Sequence, residues 1–183
     1  MCIRDRSKAA ATLLCRTWAA ASGAPVTVLR LFLVYGPGQG EERFLPQLIE
    51  AAIAGRPFKM TGGEQTREYT HIDDAVEGLL RAAHRAPSGE VINLGSGEEI
   101  SLRDLVKLVG DILGEEIALD PERLPYRDNE IRRFVGDHGK AVSLLGWKPK
   151  IPLEEGLRST IERHRAARRP LPVSYTHLTL PTN

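Results

Sequence analysis

Pro25 and Gly36 enclose a run with two polar side chains among its residues, Val26-Thr27-Val28-Leu29-Arg30-Leu31-Phe32-Leu33-Val34. A short β-branched and apolar stretch, opened by proline and closed by Gly36-Pro37-Gly38-Gln39-Gly40, predicts a strand buried on both faces, the kind found in parallel sheets. Alanine, leucine, tryptophan and cysteine recur at helical spacing over residues 7–22 just before it, and Gly23 supplies a C-terminal cap. Strand runs and helical runs then alternate along the chain, which predicts an α/β fold with a parallel sheet.

Residues 44–54 predict a helix ended by Gly55, and a short strand near residues 58–60 leads to the Gly62-Gly63 turn. Residues 67–72 predict a further strand. Asp73 or Asp74 is expected to cap a helix reaching about residue 84, with its acids well placed at the positive end of the helix dipole. Val91-Ile92-Asn93-Leu94 predicts a strand, and Ser101, with Asp104 in capping-box position, opens a helix through residue 113. A short strand is expected at residues 117–119. Residues 120–136 are long, polar and irregular, and such loops in compact domains are usually functional. Asp137 is expected to cap a short helix ending at Gly146, with Trp147 as a packing anchor, and a last helix runs over residues 153–168.

The composition, 183 residues with 42% hydrophobic and 27% charged, suits one soluble domain with a core of its own. A net charge of +1 gives no general attraction to nucleic acid or membrane, and the basic side chains Arg163, His164, Arg165, Arg168 and Arg169 suit a solvated helix C-terminus. No apolar run is long enough to span a bilayer, no signal peptide is visible, and a cytoplasmic setting is expected. Cys2 and Cys15 indicate no disulfide framework, and Cys15 is expected to be a buried small hydrophobe.

The two ends share an unusual feature. Met1-Cys2-Ile3-Arg4-Asp5-Arg6 fits no helix or strand pattern, and ATG TGT ATA AGA GAC AG encodes its first five residues and begins an arginine codon. The reverse complement encodes Val173-Ser174-Tyr175-Thr176-His177-Leu178. Both resemble a transposon-end adapter from a sequencing library. The expectation is therefore that residues 1–6 and 173–183 are adapter-derived and that residues 7–172 are the C-terminal half of a domain. Leaving out two arginines and one aspartate takes the net charge from +1 to zero.

Neither glycine cluster has the spacing of a dinucleotide fingerprint. Gly36-Pro37-Gly38-Gln39-Gly40 is followed by Glu41-Glu42, and Gly95-Ser96-Gly97 by Glu98-Glu99, acids that would repel a pyrophosphate. Both are read as turns. His71 beside Asp73-Asp74 has no further ligand cluster around it, so no metal is expected.

The ordered segments are more telling. Ser7-Lys8 opens the alanine-rich helix. Leu29-Arg30-Leu31-Phe32-Leu33-Val34-Tyr35-Gly36-Pro37-Gly38-Gln39 comes next, then Arg67-Glu68-Tyr69-Thr70-His71-Ile72-Asp73-Asp74-Ala75. Val91-Ile92-Asn93-Leu94-Gly95-Ser96-Gly97 follows, and Asp137 through Leu144-Leu145-Gly146-Trp147 closes the set. In this order and spacing they resemble the NAD-dependent epimerase/dehydratase family of extended short-chain dehydrogenases/reductases, which modify nucleotide sugars. The resemblance implies the C-terminal part of a Rossmann-like, doubly wound parallel sheet with a small α/β substrate-binding subdomain. It implies NAD or NADP as cofactor, a nucleotide-diphosphate sugar as substrate, and a homodimer built on the helix beginning at Ser7. It does not imply nucleic-acid or membrane binding. The function implied is epimerase, dehydratase or reductase, with a non-catalytic NAD(P)-binding regulatory or scaffold relative as the alternative.

In that family a Tyr-x-x-x-Lys pair does the acid/base work, the lysine holding the nicotinamide ribose and lowering the pKa of a phenol that is otherwise a poor base at neutral pH. Lys8 matches the lysine and is the catalytic and cofactor-binding candidate; Arg4 stands where the tyrosine is expected. Phe32 matches a position beside the nicotinamide. Arg67 and Arg127 match two arginines that grip the diphosphate, a task suited to the planar guanidinium fork. Glu130 matches an acid on the nucleotide ribose, and Met60 and Thr61 lie where relatives build the base pocket. Leu33 stands where many members carry an asparagine that contacts the phosphates, and Asp128 where many carry proline.

Overall fold

Val28 pairs with Val91 and Leu31 with Leu94, so the first strand of the chain, β1 (Val28–Leu31), lies parallel to β5 (Val91–Leu94). The computed structural model describes residues 3–167; the expected adapter-derived segment at residues 173–183 lies outside the described residues. The apolar run does not continue as one strand. It breaks at Phe32-Leu33, and Val34–Tyr35 forms a separate strand, β2, parallel to β4 (Thr70–His71). The break lets one run serve two partners, in two separate two-stranded parallel sheets. The strand expected over residues 67–72 divides likewise, into β3 (Thr66–Glu68) and β4, with Ile72 already helical.

A third, mixed sheet has the order β6-β3-β7, with β6 (Glu99–Ser101) antiparallel and β7 (Arg133–Phe134) parallel to β3. The strands expected near residues 58–60 and 117–119 are reduced to one parallel bridge, Phe58 to Leu119.

The helices are α1 (Ile3–Ser22), α2 (Phe44–Ile53), α3 (Ile72–Arg85), α4 (Leu102–Leu113), α5 (Gly139–Leu145) and α6 (Leu153–Ala167). Helix α1 begins at Ile3, four residues earlier than expected. Arginine is a good helix former, and Asp5 sits in the first turn, where the dipole favours an acid. The capping box of α4 forms as expected: Asp104 N–H donates to Ser101 Oγ at 3.0 Å, and the Ser101 hydroxyl donates to Asp104 Oδ2 at 2.6 Å. Helix α3 is capped differently. Its N-cap is His71, whose ring Nδ1 accepts from Asp73 N–H at 3.3 Å. Asp74 instead turns inward and accepts from the backbone of Lys150 and Ile151. Asp137 closes a turn ahead of α5, accepting from Gly139 N–H at 2.7 Å, while His138 is the N-cap.

Two cores result. One gathers Tyr35, Phe58 and Met60 between α2, α4 and α6; the other packs α3 and α5 on β5 around Ala82, Ile92, Leu94, Leu145 and Trp147. Trp147 is fully buried and its indole N–H donates to Asp74 O at 2.9 Å. Helix α1 packs against β1 yet stands largely clear. Ala19 is its one buried residue among those whose burial is described, Cys15 is half-buried rather than buried, and Leu13, Leu14 and Trp18 are exposed. No helix among the described residues is long and apolar enough to cross a membrane.

Candidate functional site

The pairing of β7 with β3 decides where the long irregular segment goes. Thr66 lies opposite Arg133 and Arg67 opposite Phe134, and Thr66 N–H donates to Arg132 O at 2.8 Å. Glu130, three residues before β7, is thereby folded over Arg67. The Arg67 Nη2 to Glu130 Oε1 distance is 2.5 Å, and the two side chains are only 16% and 18% exposed. Arg67 Nη1 also donates to Thr66 O at 2.7 Å, so the guanidinium is held from two sides. Arg127 is exposed on the same loop, its carbonyl accepting from Glu130 N–H at 3.0 Å.

Below this pair lies a contact that the sequence reading did not assign. Glu68 is fully buried, and its Oε2 accepts from Gly97 N–H at 3.0 Å and Gly136 N–H at 2.9 Å. It ties the end of the irregular segment to the turn between β5 and β6. Its other oxygen lies against Gly95, where no Cβ would fit, and has no hydrogen-bond partner among the described residues. The signal available in the sequence was an acid within a strand with glycines nearby. Phe32 stacks on Phe134 with ring centroids 5.1 Å apart and crowds Gly136 as well.

Met60 is buried in the α2–α4–α6 core, and its carbonyl accepts from Leu124 N–H, anchoring the start of the loop. Thr61 is half-buried and its hydroxyl oxygen accepts from Gln65 Nε2 at 2.8 Å. Nearby, the Tyr126 hydroxyl is bonded to Glu64; that bond first, Glu64's own backbone N–H and the charges of Arg103 and Arg123 hold the Glu64 carboxyl below its usual range. The Arg132 guanidinium lies 4.2 Å from the centre of the Tyr126 ring. Residues 126 and 132 are thus drawn together, making a neck for the loop that carries Arg127 and Glu130.

Lys8 is exposed on α1, and among the described residues no hydrogen bond or ion pair joins it to Phe32, Arg67 or Glu130. The structure therefore brings together Arg67 and Glu130, places Phe32 at the end of the same segment through Phe134, and leaves Lys8 apart. Among the described residues no group of three histidine, cysteine, aspartate or glutamate side chains is arranged to hold a metal ion.

A profile of the NAD dependent epimerase/dehydratase family matches residues 5–95. The chain belongs to this family. It is 38% identical over 136 residues to the UDP-glucose 4-epimerase of Mycolicibacterium smegmatis, a match covering 72% of this chain and 43% of the relative. It is 31% identical over 170 residues to the dTDP-glucose 4,6-dehydratase of Salmonella typhimurium, covering 87% and 46%. The crystal structure of UDP-glucuronic acid 4-epimerase from Bacillus cereus with UDP-glucuronic acid and NAD superposes with a TM-score of 0.78 at 29% identity, covering 85% of this chain and 50% of that one. The chain thus spans about half the length of the epimerases and dehydratases it matches, and its α/β architecture with parallel strands is the Rossmann-like fold of these relatives.

Proposed function

We propose that this chain serves an enzyme that interconverts nucleotide-diphosphate sugars by hydride exchange with NAD or NADP, as an epimerase, dehydratase or reductase. Within it, β3 and the loop before β7 grip the nucleotide diphosphate. The observation that carries this reading is the meeting of Arg67 and Glu130 at 2.5 Å across a separation of 63 residues, with side chains only 16% and 18% exposed. Arg67 and Arg127 would donate to the phosphate oxygens, and Glu130 would accept from a ribose hydroxyl. Met60 and Thr61 would bound the base. The exposed α1 residues Leu13, Leu14 and Trp18 suit a homodimer built on that helix.

The cofactor would supply or accept the hydride when bound. Lys8 fits its part: the side chain is exposed near the start of α1, and no ion pair of the described residues claims its ammonium. It would donate to the ribose hydroxyls beside the nicotinamide, and Phe32 would pack beside the ring. Arg4 occupies the place of the expected tyrosine, and a guanidinium that stays charged cannot take a proton from a sugar hydroxyl. We therefore expect the 183-residue chain to bind nucleotide but not turn it over.

Calorimetric titration with UDP and dTDP, and with uridine and thymidine, tests the reading. Diphosphate binding that weakens at least about tenfold in Arg67→Ala, with no turnover of UDP-glucose or dTDP-glucose in the presence of NAD, is the expected result. Nucleosides binding as tightly as their diphosphates would refute the proposed grip, and measurable turnover would refute the inactivity.

A further inference from the structure

Arg67 does not stand with an open fork. Glu130 occupies its Nη2, and both side chains are largely withdrawn from water. A phosphate that is to take the guanidinium must first displace the carboxylate, and a carboxylate displaced within a half-buried site needs new donors. Free phosphate or pyrophosphate brings negative oxygens that repel it. A nucleoside diphosphate brings ribose O–H groups a few bonds from its phosphates.

We propose that Glu130 is a specificity-determining residue that screens Arg67 from free phosphates and yields it only to a phosphate that carries a ribose. The proposal rests on the reading of Arg67 and Glu130 given above. The loop is built for the exchange. Its base is fixed by Leu124 N–H on Met60 O, by the Arg132–Tyr126 stack and by β7 on β3. Its tip, with Arg127 and Glu130 one turn apart, carries among the described residues no such anchor to the body of the chain other than Arg67 itself. Glu130 can therefore leave Arg67 without any of these base anchors breaking, and Arg127 travels with it.

Titrations of the 183-residue chain with pyrophosphate, UDP and 2′,3′-dideoxy-UDP test this. The wild-type chain should bind dideoxy-UDP at least about tenfold more weakly than UDP, the scale of one charge-assisted hydrogen bond. In Glu130→Gln the preference for UDP over pyrophosphate should shrink about tenfold or more, chiefly through tighter pyrophosphate binding. Asp128→Asn, which removes an exposed charge from the same loop, should leave that preference unchanged. Equal binding of UDP and its dideoxy analogue, an unchanged preference in Glu130→Gln, or an equal effect of Asp128→Asn each overturns the screening role. If Arg67→Ala leaves all three affinities unchanged, the diphosphate reading itself fails. If Arg67→Ala weakens them while Glu130→Gln leaves the preference intact, only the screen fails.

Discussion

Glu68 Oε2 lies 2.9 Å from the backbone nitrogen of Gly136, a residue 68 positions further along the chain. The same oxygen takes Gly97 N–H, so one buried carboxylate closes two loops. Glu68→Ala leaves both donors without that acceptor and opens a cavity beneath the loop. The buried Gly136 donor costs about 1–3 kcal/mol when orphaned, whereas Gly97 is exposed and can turn to water. The expected loss is about 2–4 kcal/mol, read as a fall in the urea midpoint at unchanged slope. Glu68→Gln, which keeps an acceptor oxygen, should lose less. Equal losses for the two variants would show that the hydrogen bonds are not what matters.

Gly136 admits no side chain because Phe32 fills the space: a Cβ there would stand 2.5 Å from Phe32 Cζ. Gly136→Ala should cost about 1–3 kcal/mol through overpacking. Combined with Phe32→Leu, it should cost much less than the sum of the two changes, because the ring that it strikes is gone. A double-mutant cycle of denaturation free energies checks this, and simple additivity would contradict the proposed clash.

These contacts mark the boundary of what could be read from the chain. Ser101 and Asp104 announce their capping box in four consecutive positions, and the apolar run after Pro25 announces a buried strand, because both signals are local. The break at Phe32-Leu33 was hidden, since both halves of the run are equally apolar and only their different partners, β5 and β4, separate them. His71 rather than Asp73 capping α3 was hidden for a similar reason: either can accept a helical N–H, and the inward turn of Asp74 toward Lys150 is set by tertiary packing. The residues of the Arg67–Glu130 pair were each marked by the family resemblance. Their contact was not, because it depends on β7, a strand of two residues with no pattern of its own.

Alkaline pH should weaken the fold through Tyr35 and Tyr69. Burial pushes both phenols well above the ordinary value, assisted for Tyr35 by the charges of Asp74 and Glu155 and opposed for Tyr69 by Arg67. The folded state therefore holds these protons more tightly than the unfolded chain. Their contribution is fully present below the unfolded pKa of about 10 and is lost as pH rises above it. The slope is about 1.4 kcal/mol per pH unit for each tyrosine. Urea midpoints measured between pH 8 and pH 11.5 should fall steeply in the wild-type chain and less so in the Tyr35→Phe, Tyr69→Phe double variant. Identical slopes would assign the loss to other groups.

Gly156 sits inside α6, where alanine would ordinarily be favoured by about 1 kcal/mol. Here a Cβ would strike the Tyr35 hydroxyl and come within 2.9 Å of His71 Cδ2. Gly156→Ala should thus lower the melting temperature despite its better helix propensity. Adding Tyr35→Phe, which removes the struck oxygen, should recover part of the loss. A melting temperature that rises in Gly156→Ala would mean that α6 shifts to accommodate the methyl.

Trp147 and Asp74 reach beyond packing. The indole N–H on the Asp74 carbonyl and the Asp74 carboxylate on the Lys150 and Ile151 amides lie on the stretch of chain that leads from one core to the other. If these few bonds hold, the two halves open together and their slowest amides exchange with solvent at a common rate. If they are cut, as in Asp74→Ala, the half around α5 can open alone, and its amides should lose protection while those of α4 keep theirs.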